Sequence, residues 1–232
     1  MVNKYELVKL IEAVAPPETA ESWDMSGWLV ETAKTDVNKV MLCLTITDDI
    51  IKQANETNCD MIISHHPLFC VPFCYNCEID IYSAHTNLDK APCGTTETLI
   101  KQLGLTPNRE IEHDFLRFCD IEITFENLID MLKPYSKNIR YTNPKNVNNT
   151  SRIAFCSGSG TEFWHDACQL DADVLITGDL KFHSALDSKI AIIDIGHFES
   201  EILVLQEISR LLKDMTQIII ANETSPIKQI NS

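Results

Sequence analysis

The sequence is poor in positive charge. Its 19 lysine and arginine residues are outnumbered by 34 aspartate and glutamate residues, which leaves a formal net charge of −15. Proteins that bind DNA or RNA over a broad face need clustered cations that displace counterions from the phosphates. The charge balance therefore argues against a broad nucleic-acid interface.

Long apolar runs are also missing. The longest stretch without a formal charge, Met61 to Cys77, contains two prolines and two adjacent histidines, so it does not read as a membrane-spanning helix. Charged residues interrupt the N-terminal segment, which therefore does not resemble a secretory signal peptide: Lys4, Glu6, Lys9 and Glu12. Together with a 44% hydrophobic and 23% charged composition, these features predict a folded cytoplasmic protein.

The nine cysteines do not suggest a disulfide framework, because their number is odd and the chain is long for such a scaffold. We predict reduced thiols, with Cys43, Cys119 and Cys156 packed in the core as small apolar residues. Three further cysteines, Cys70, Cys74 and Cys77, are closely spaced and are considered separately below.

Strand-like and helix-like segments alternate along the chain. The apolar, β-prone runs are Lys39 to Ile46, Cys59 to Ser64, Ile81 to His85, Arg152 to Cys156, Asp173 to Thr177 and Ile190 to Ile195. A helix is predicted from Gly196 to Lys213. This alternation predicts an α/β fold with two similar halves and mostly parallel sheets, comprising residues 1–105 and 151–232. A polar connector is predicted at 106–150.

Histidines stand where predicted strands end. His65 and His66 follow a buried strand and precede Pro67, which cannot continue a ladder and so gives the backbone a reason to turn. His85 ends the next predicted strand. Because ligands of open parallel sheets bind at the carboxyl ends of the strands, we expect these side chains to lie close together.

Carboxylates stand four residues beyond two of the histidines. His197 and Glu201 lie on one face of a predicted helix, and Asp89 follows His85 at the same spacing. Either acid could instead serve a helix start. Taken together, the nitrogen and oxygen donors His65, His66, Asp89, His197 and Glu201 suit divalent Zn, Mn, Fe or Ni. Five donors exceed what one open catalytic zinc takes from protein, so a pair of metals is the natural interpretation.

Four ordered motifs now carry a resemblance that runs along nearly the whole chain. They are Ile62 to Leu68 (IISHHPL), Ser83 to Asp89 (SAHTNLD), Ile176 to His183 (ITGDLKFH) and Asp194 to Glu201 (DIGHFESE). An opening segment, Glu21 to Asp24 (ESWD), matches as well. The chain resembles the GTP cyclohydrolase I type 2 family, also called NIF-three-like proteins.

The resemblance implies two α/β halves that enclose a dinuclear metal site. It implies His65, His66, Asp89, His197 and Glu201 as the ligands of two divalent metals that share a bridging water or hydroxide. His85 and His183 would stand beside the metals and move protons during hydrolysis, and Asp179 and Lys181 are weaker candidates. The resemblance also implies a homohexamer, and a small-molecule substrate that includes nucleotides such as GTP.

Two alternatives remain open from the sequence. The spacing Cys70-x3-Cys74-x2-Cys77 matches the iron–sulfur ligands of radical S-adenosylmethionine enzymes, although no Gly-Gly-Glu-like segment follows it. The same thiols could instead bind a structural metal or simply pack. The second alternative is a non-catalytic metal-binding interaction or regulatory protein, a role described for some proteins of this family.

Overall fold

The structure is a computed structural model that describes residues 1–68 and 78–228. In chain order, its strands are β1 Val2–Asn3, β2 Gly27–Val30, β3 Asp36–Val37, β4 Lys39–Cys43, β5 Met61–Ser64, β6 Asp80–Ser83, β7 Arg117–Thr124, β8 Arg140–Thr142, β9 Asn149–Phe155, β10 Val174–Thr177, β11 Ala191–Asp194 and β12 Gln217–Ile220. Its α-helices are α1 Lys4–Val14, α2 Asp48–Glu56, α3 Thr86–Lys90, α4 Thr95–Gln102, α5 Phe125–Leu132, α6 Trp164–Gln169, α7 Phe182–Asp187, α8 His197–Glu201 and α9 Val204–Leu212. Short 3-10 turns cover Pro17–Thr19 and Thr161–Phe163.

The chain divides into two units. Unit 1 comprises Met1–Gly94 and Val204–Thr224, and unit 2 comprises Thr95–Leu203 and Ser225–Ser232. Each contains its own five-stranded sheet. The mixed α/β architecture with two mostly parallel sheets confirms the predicted fold class.

In unit 1 the strand order is β12-β4-β5-β6-β2. Strands β12, β4, β5 and β6 are parallel, and β2 pairs antiparallel with β6 at the edge. The central strands are buried continuously rather than alternately, as expected for a parallel sheet covered on both faces. Helix α2 begins where Thr47 accepts a hydrogen bond from the Ile50 amide at 3.3 Å, as a threonine at this capping position commonly does.

A buried ion pair joins the start of α1 to β6. Lys4 is fully buried, and its Nζ lies 2.9 Å from Asp80 Oδ1 and donates to the Thr32 carbonyl at 2.8 Å. Asp80 Oδ1 also accepts from the Thr32 amide at 2.6 Å. Both charges are therefore compensated inside the unit, which a buried charge requires.

In unit 2 the strand order is β7-β9-β10-β11-β8. Strands β9, β10 and β11 are parallel, and β7 and β8 pair antiparallel at the two edges. Cys119 and Cys156 are 2% and 4% exposed in this unit, and Cys43 is fully buried in unit 1. The predicted burial of these three thiols is confirmed.

The unit boundaries differ from the boundaries that the sequence suggested. The segment predicted as a connector, 106–150, supplies β7, α5 and β8 to unit 2, and the last helix and strand return to unit 1. Four apolar side chains of this segment are buried in unit 2, and the polar residues around them led to the prediction of a connector: Phe118, Phe125, Leu128 and Leu132.

The helix predicted from Gly196 to Lys213 is two helices, α8 and α9. The break follows from packing: Leu203 packs against a core cluster of unit 2, whereas Val204 begins the return to unit 1. No helix in the described part of the chain has the length and apolar character that crossing a bilayer requires.

Candidate metal centre

Three histidines of unit 1 converge at the ends of β5 and β6. His65 and His66 follow Ser64, the last residue of β5, and His85 follows β6 after a single alanine. Each ring offers one nitrogen, and these three nitrogens all lie within 4.8 Å of one another. The expectation that parallel strands bring these side chains together is confirmed for the residues of this unit.

Hydrogen bonds hold the backbone at His65 and His66 so that their two imidazole rings lie next to each other. Ser83 Oγ donates to the His65 carbonyl at 2.7 Å, and Ser64 Oγ donates to the His66 carbonyl at 2.9 Å. The two ring centroids are 4.9 Å apart. Successive residues of a regular strand would face opposite ways, so the turn before Pro67 is what allows both rings to serve one site.

The Nδ1 atoms of these rings are engaged by oxygens. His65 Nδ1 lies 2.9 Å from the Ala84 carbonyl, and His85 Nδ1 lies 2.8 Å from Asp24 Oδ1. A carbonyl and an ionised carboxylate only accept, so Nδ1 carries the proton in both rings and Nε2 is the nitrogen through which each can bind a metal. His66 Nδ1 lies 2.7 Å from Thr45 Oγ1, which can donate or accept.

Asp24 is anchored by several donors. Its side chain is fully buried and accepts from the Thr86 amide at 3.0 Å, from Thr86 Oγ1 at 2.6 Å and from Ser26 Oγ at 2.6 Å, besides the bond to His85. Burial alone would raise the pKa of Asp24, but these hydrogen bonds outweigh it and hold that pKa well below its ordinary value. Asp24 therefore stays ionised and fixes the orientation of the His85 ring.

Asp89 adds a carboxylate to the histidine cluster of unit 1. It lies in α3, whose first turn closes when the Asp89 amide donates to the His85 carbonyl at 3.0 Å. Asp89 Oδ1 lies 3.5 Å from His65 Nε2. The structure thus brings together the four predicted site residues of this unit: His65, His66, His85 and Asp89.

In unit 2 the imidazole of His197 lies between two carboxylates. Its Nδ1 is 2.7 Å from Asp179 Oδ2, and its Nε2 is 3.1 Å from Glu201 Oε2. Asp179 directly follows Gly178 after β10, and His197 begins α8 after β11, so both come from the carboxyl ends of neighbouring parallel strands. Glu201 is one helical turn beyond His197, as predicted from the sequence.

The two carboxylates control the protonation of His197. Burial by itself would lower the pKa of His197, but its hydrogen bonds with Asp179 and Glu201 and their negative charge raise the pKa to about 10. The hydrogen bond from His197 in turn lowers the pKa of Asp179. In the absence of a metal, His197 is therefore an imidazolium at neutral pH.

Gly158 leaves room for the Glu201 carboxylate. Its φ is +69°, and a Cβ at this position would collide with Glu201 Oε1. The Gly158 amide donates to Ser200 Oγ at 2.9 Å, and Ser200 Oγ donates to the His197 carbonyl at 2.8 Å. The loop after β9 thus holds the start of α8 in place.

The donor chemistry of both groups fits a divalent metal. Imidazole nitrogens and carboxylate oxygens suit Zn, Mn, Fe and Ni, and neither group includes a thiolate among the described residues. Glu201 is 3% exposed and His65 is fully buried, and polar groups of this kind are buried when they are paired or bind metal. These histidine and glutamate groups could hold a metal ion.

The other predicted residues lie elsewhere or outside the described residues. His183 is exposed on α7, where its ring contacts Phe182, and within the described residues it makes no hydrogen bond with His197 or Glu201. Lys181 pairs with Glu162 at 2.8 Å on the surface. Cys70, Cys74 and Cys77, the thiols of the alternative iron–sulfur interpretation, lie outside the described residues.

Sequence reasoning missed three contributors: Asp24, Thr45 and Gly158. Asp24 belongs to the ESWD segment, and no spacing rule connects it to His85, which is 61 residues away in the chain. Thr45 follows a buried strand, a position that could have suggested a role. Gly158 is one of only seven glycines, and that scarcity was a usable signal.

Fold and donors together define a mixed α/β protein with histidine and carboxylate groups suited to a metal ion. The family model described as Duf34/NIF3 (NGG1p interacting factor 3) matches residues 2–229. The chain belongs to this family, and the predicted resemblance is confirmed.

Relatives and solved structures agree with this assignment. A protein of Clostridium perfringens named "GTP cyclohydrolase 1 type 2 homolog" is 32% identical, with 90% of each chain covered. A protein of the same name from Clostridium acetobutylicum is 33% identical, with 84% of each covered. The solved structure "Reduced HcgD from Methanocaldococcus jannaschii" is 26% identical with a TM-score of 0.81, covering 95% of this chain and 97% of that one.

Proposed function

We propose that the protein is a metal-dependent hydrolase that uses two divalent metals. The proposed ligands are His65, His66, Asp89, His197 and Glu201, the set that the family resemblance implies. The observation that supports the proposal is the engagement of Nδ1 by acceptor-only oxygens, because it makes Nε2 the nitrogen through which His65 and His197 would bind a metal.

Bound divalent metals would supply Lewis-acid chemistry and lower the pKa of a coordinated water toward neutrality. The protein would orient the ligands and move protons. Asp24 holds the proton of His85 on Nδ1, so His85 Nε2 is the atom that would take a proton from water and pass it to the leaving group. The proton-transfer role of His183 stays a prediction, because His183 is exposed on α7.

The proposed substrate is a small molecule with an electrophilic carbon or phosphorus, and nucleotides are included. Relatives named "GTP cyclohydrolase 1 type 2 homolog" support a nucleotide, while the net charge of −15 argues against a nucleic-acid polymer. A cytoplasmic location and a homohexamer complete the proposal. Light scattering would test the hexamer, which requires a mass about six times the 26.3 kDa of the chain.

The experiment is reconstitution of chelator-treated protein with Zn, Mn, Fe or Ni, followed by incubation with GTP and mass analysis of the products. We expect metal-dependent product formation that His66→Ala and Glu201→Ala abolish together with metal binding. Lys181→Ala, at a surface ion pair, is the matched control and should retain both properties. Retention of metal by either ligand variant would contradict the ligand assignment.

A non-catalytic interaction protein is the main competitor, and the family description, which names an interacting factor, favours it. That alternative predicts a fully folded chain without metal and without turnover for any reconstituted form. An iron–sulfur enzyme that uses Cys70, Cys74 and Cys77 is a third possibility. It predicts a cluster absorbance band in anaerobically purified protein that the triple Cys→Ala variant lacks.

A further inference from the structure

Trp23 is exposed beside the histidine cluster of unit 1. Its relative exposure is 66%, whereas Trp164 is 6% exposed. The indole packs edge-to-face on His85, with ring centroids 6.3 Å apart and an interplanar angle of 76°. Leaving so large an apolar ring in water forfeits the stabilisation that burial would give, so its position next to a candidate metal ligand set calls for an explanation.

The exposure does not come from a loose segment. Before Trp23, the Glu21 amide donates to Thr86 Oγ1 at 2.9 Å, and Glu21 pairs with Lys90 at 2.6 Å. After it, the buried Asp24 carboxylate accepts from the amide and the hydroxyl of Thr86. The backbone on both sides of Trp23 is thus held against α3 by hydrogen bonds, which fix the position of the indole.

We propose that Trp23 is a stacking surface for a planar heteroaromatic ring of the substrate, whose polar part is held at the adjacent histidines. Indole offers a large π face at the cost of only two side-chain torsions. Met25, two residues further along the chain, is also an exposed apolar side chain, at 56%. The inference deepens the proposed function and rests on it for the placement of the polar part.

Local charge favours recognition through the ring over recognition through phosphate alone. Lys90, at the end of α3, is paired with Glu21, and Asp24 adds a fixed negative charge beside His85. An anionic group gains little from such surroundings without a bound metal. A flat, uncharged ring is not repelled by the nearby negative charge. Stacking on an aromatic side chain is open to any base, because every base has a π face.

The test uses metal-reconstituted full-length protein and three probes: GTP, nicotinamide and inorganic tripolyphosphate. Tryptophan fluorescence and calorimetry report binding, and elemental analysis reports metal content for each variant. We expect GTP and nicotinamide, but not tripolyphosphate, to quench the fluorescence. Trp23→Ala should weaken GTP binding about tenfold without changing tripolyphosphate affinity or metal content. Trp23→Phe, which keeps an aromatic ring, should stay within about threefold of wild type.

Trp28→Phe is the matched control, because Trp28 packs edge-to-face on Tyr5 and Tyr82 in the same unit. It should keep both the quenching and the affinity. Absence of quenching by both ring probes, or unchanged GTP affinity in Trp23→Ala, would overturn the inference. Equal loss of GTP and tripolyphosphate binding would also overturn it, since it would reveal a structural role. Metal content is measured separately, so failure of the metal proposal can be told apart from failure of the stacking proposal. If the protein binds no metal, quenching by GTP and nicotinamide on the metal-free protein decides whether Trp23 stacks on a ring.

Discussion

In unit 1 three imidazoles lie together, whereas in unit 2 a single imidazole lies between two carboxylates. The unit 1 rings are oriented by a carbonyl, a hydroxyl and the buried Asp24. The unit 2 ring is oriented by Asp179 and also contacts Glu201. The first arrangement concentrates donors that repel one another when protonated, and the second is an ion pair that is complete without a metal.

Because of this difference, we expect the histidine cluster of unit 1 and the His197 ion pair of unit 2 to respond differently when metal is removed. The three imidazoles of unit 1 each place one nitrogen within 4.8 Å of the others, which is close enough for them to contact one cation. His197 is held as an imidazolium at neutral pH by its two carboxylates, so a metal that binds it must displace a proton. The histidine cluster of unit 1 could therefore hold a cation as it stands, whereas His197 in unit 2 must first give up a proton.

The largest effect should come from removing a ring of the unit 1 cluster. His65→Ala deletes a fully buried donor, and we expect metal affinity to fall more than ~100-fold, beyond the range for groups that only orient ligands. The measurement is competitive titration with a chromogenic chelator. His183→Ala, at an exposed histidine, should leave affinity unchanged, and an equal loss in both variants would erase the distinction between clustered and surface histidines.

The next prediction concerns Gly158, which leaves room for the Glu201 carboxylate in unit 2. Gly158→Ala places a Cβ against Glu201 Oε1 at a positive φ, so we expect a loss of roughly 2–3 kcal/mol in unfolding free energy together with weaker metal binding. Gly104→Ala is closely matched, because Gly104 has a φ of +72° with nothing near the added carbon. It should cost only about 1–2 kcal/mol and leave metal affinity intact. Equal metal affinity in the two variants would contradict the role of Gly158.

A smaller effect should follow from weakening the orientation of His197. Asp179→Asn keeps the size of the side chain but removes its charge, and we expect metal affinity to fall about 10–100-fold. Glu162→Gln, at an exposed ion pair with Lys181, should change affinity less than about twofold. Isothermal titration of both variants with metal measures the two affinities. An unchanged metal affinity in Asp179→Asn would show that Glu201 alone positions the His197 ring.

The last prediction concerns the pH dependence of stability in the metal-free protein. The pKa of His197 is raised from 6.5 to about 10, so its contribution to stability is fully present below pH 6.5 and is lost as pH rises through about 10. Wild type should therefore exceed His197→Gln in unfolding free energy at pH 6 and lose that advantage by about pH 10. Denaturant titrations across this range provide the measurement, and a constant difference would refute the raised pKa.

The sequence predicted those features that depend on local pattern. Buried strands that end in His65, His66 and His85 could be located from apolar runs, and His197 with Glu201 followed from helical spacing. What it could not supply were contacts over long separations, such as Asp24 with His85, because no periodicity connects a loop residue to a strand end.

The units themselves were harder to predict for a similar reason. Both the return of α9 and β12 to unit 1 and the use of β7 as an edge strand depend on pairing with distant segments. The apolar face that runs from Phe198 to Leu212 reads as one helix, and only the division of its buried residues between two cores explains the break after α8.

The most direct test of the central claim is elemental analysis of protein purified without chelator and without metal-affinity resin. The account predicts about two divalent transition-metal atoms per chain, no acid-labile sulfide, and loss of the metal in His65→Ala. Protein that is folded but metal-free, or that contains iron together with sulfide, would contradict it.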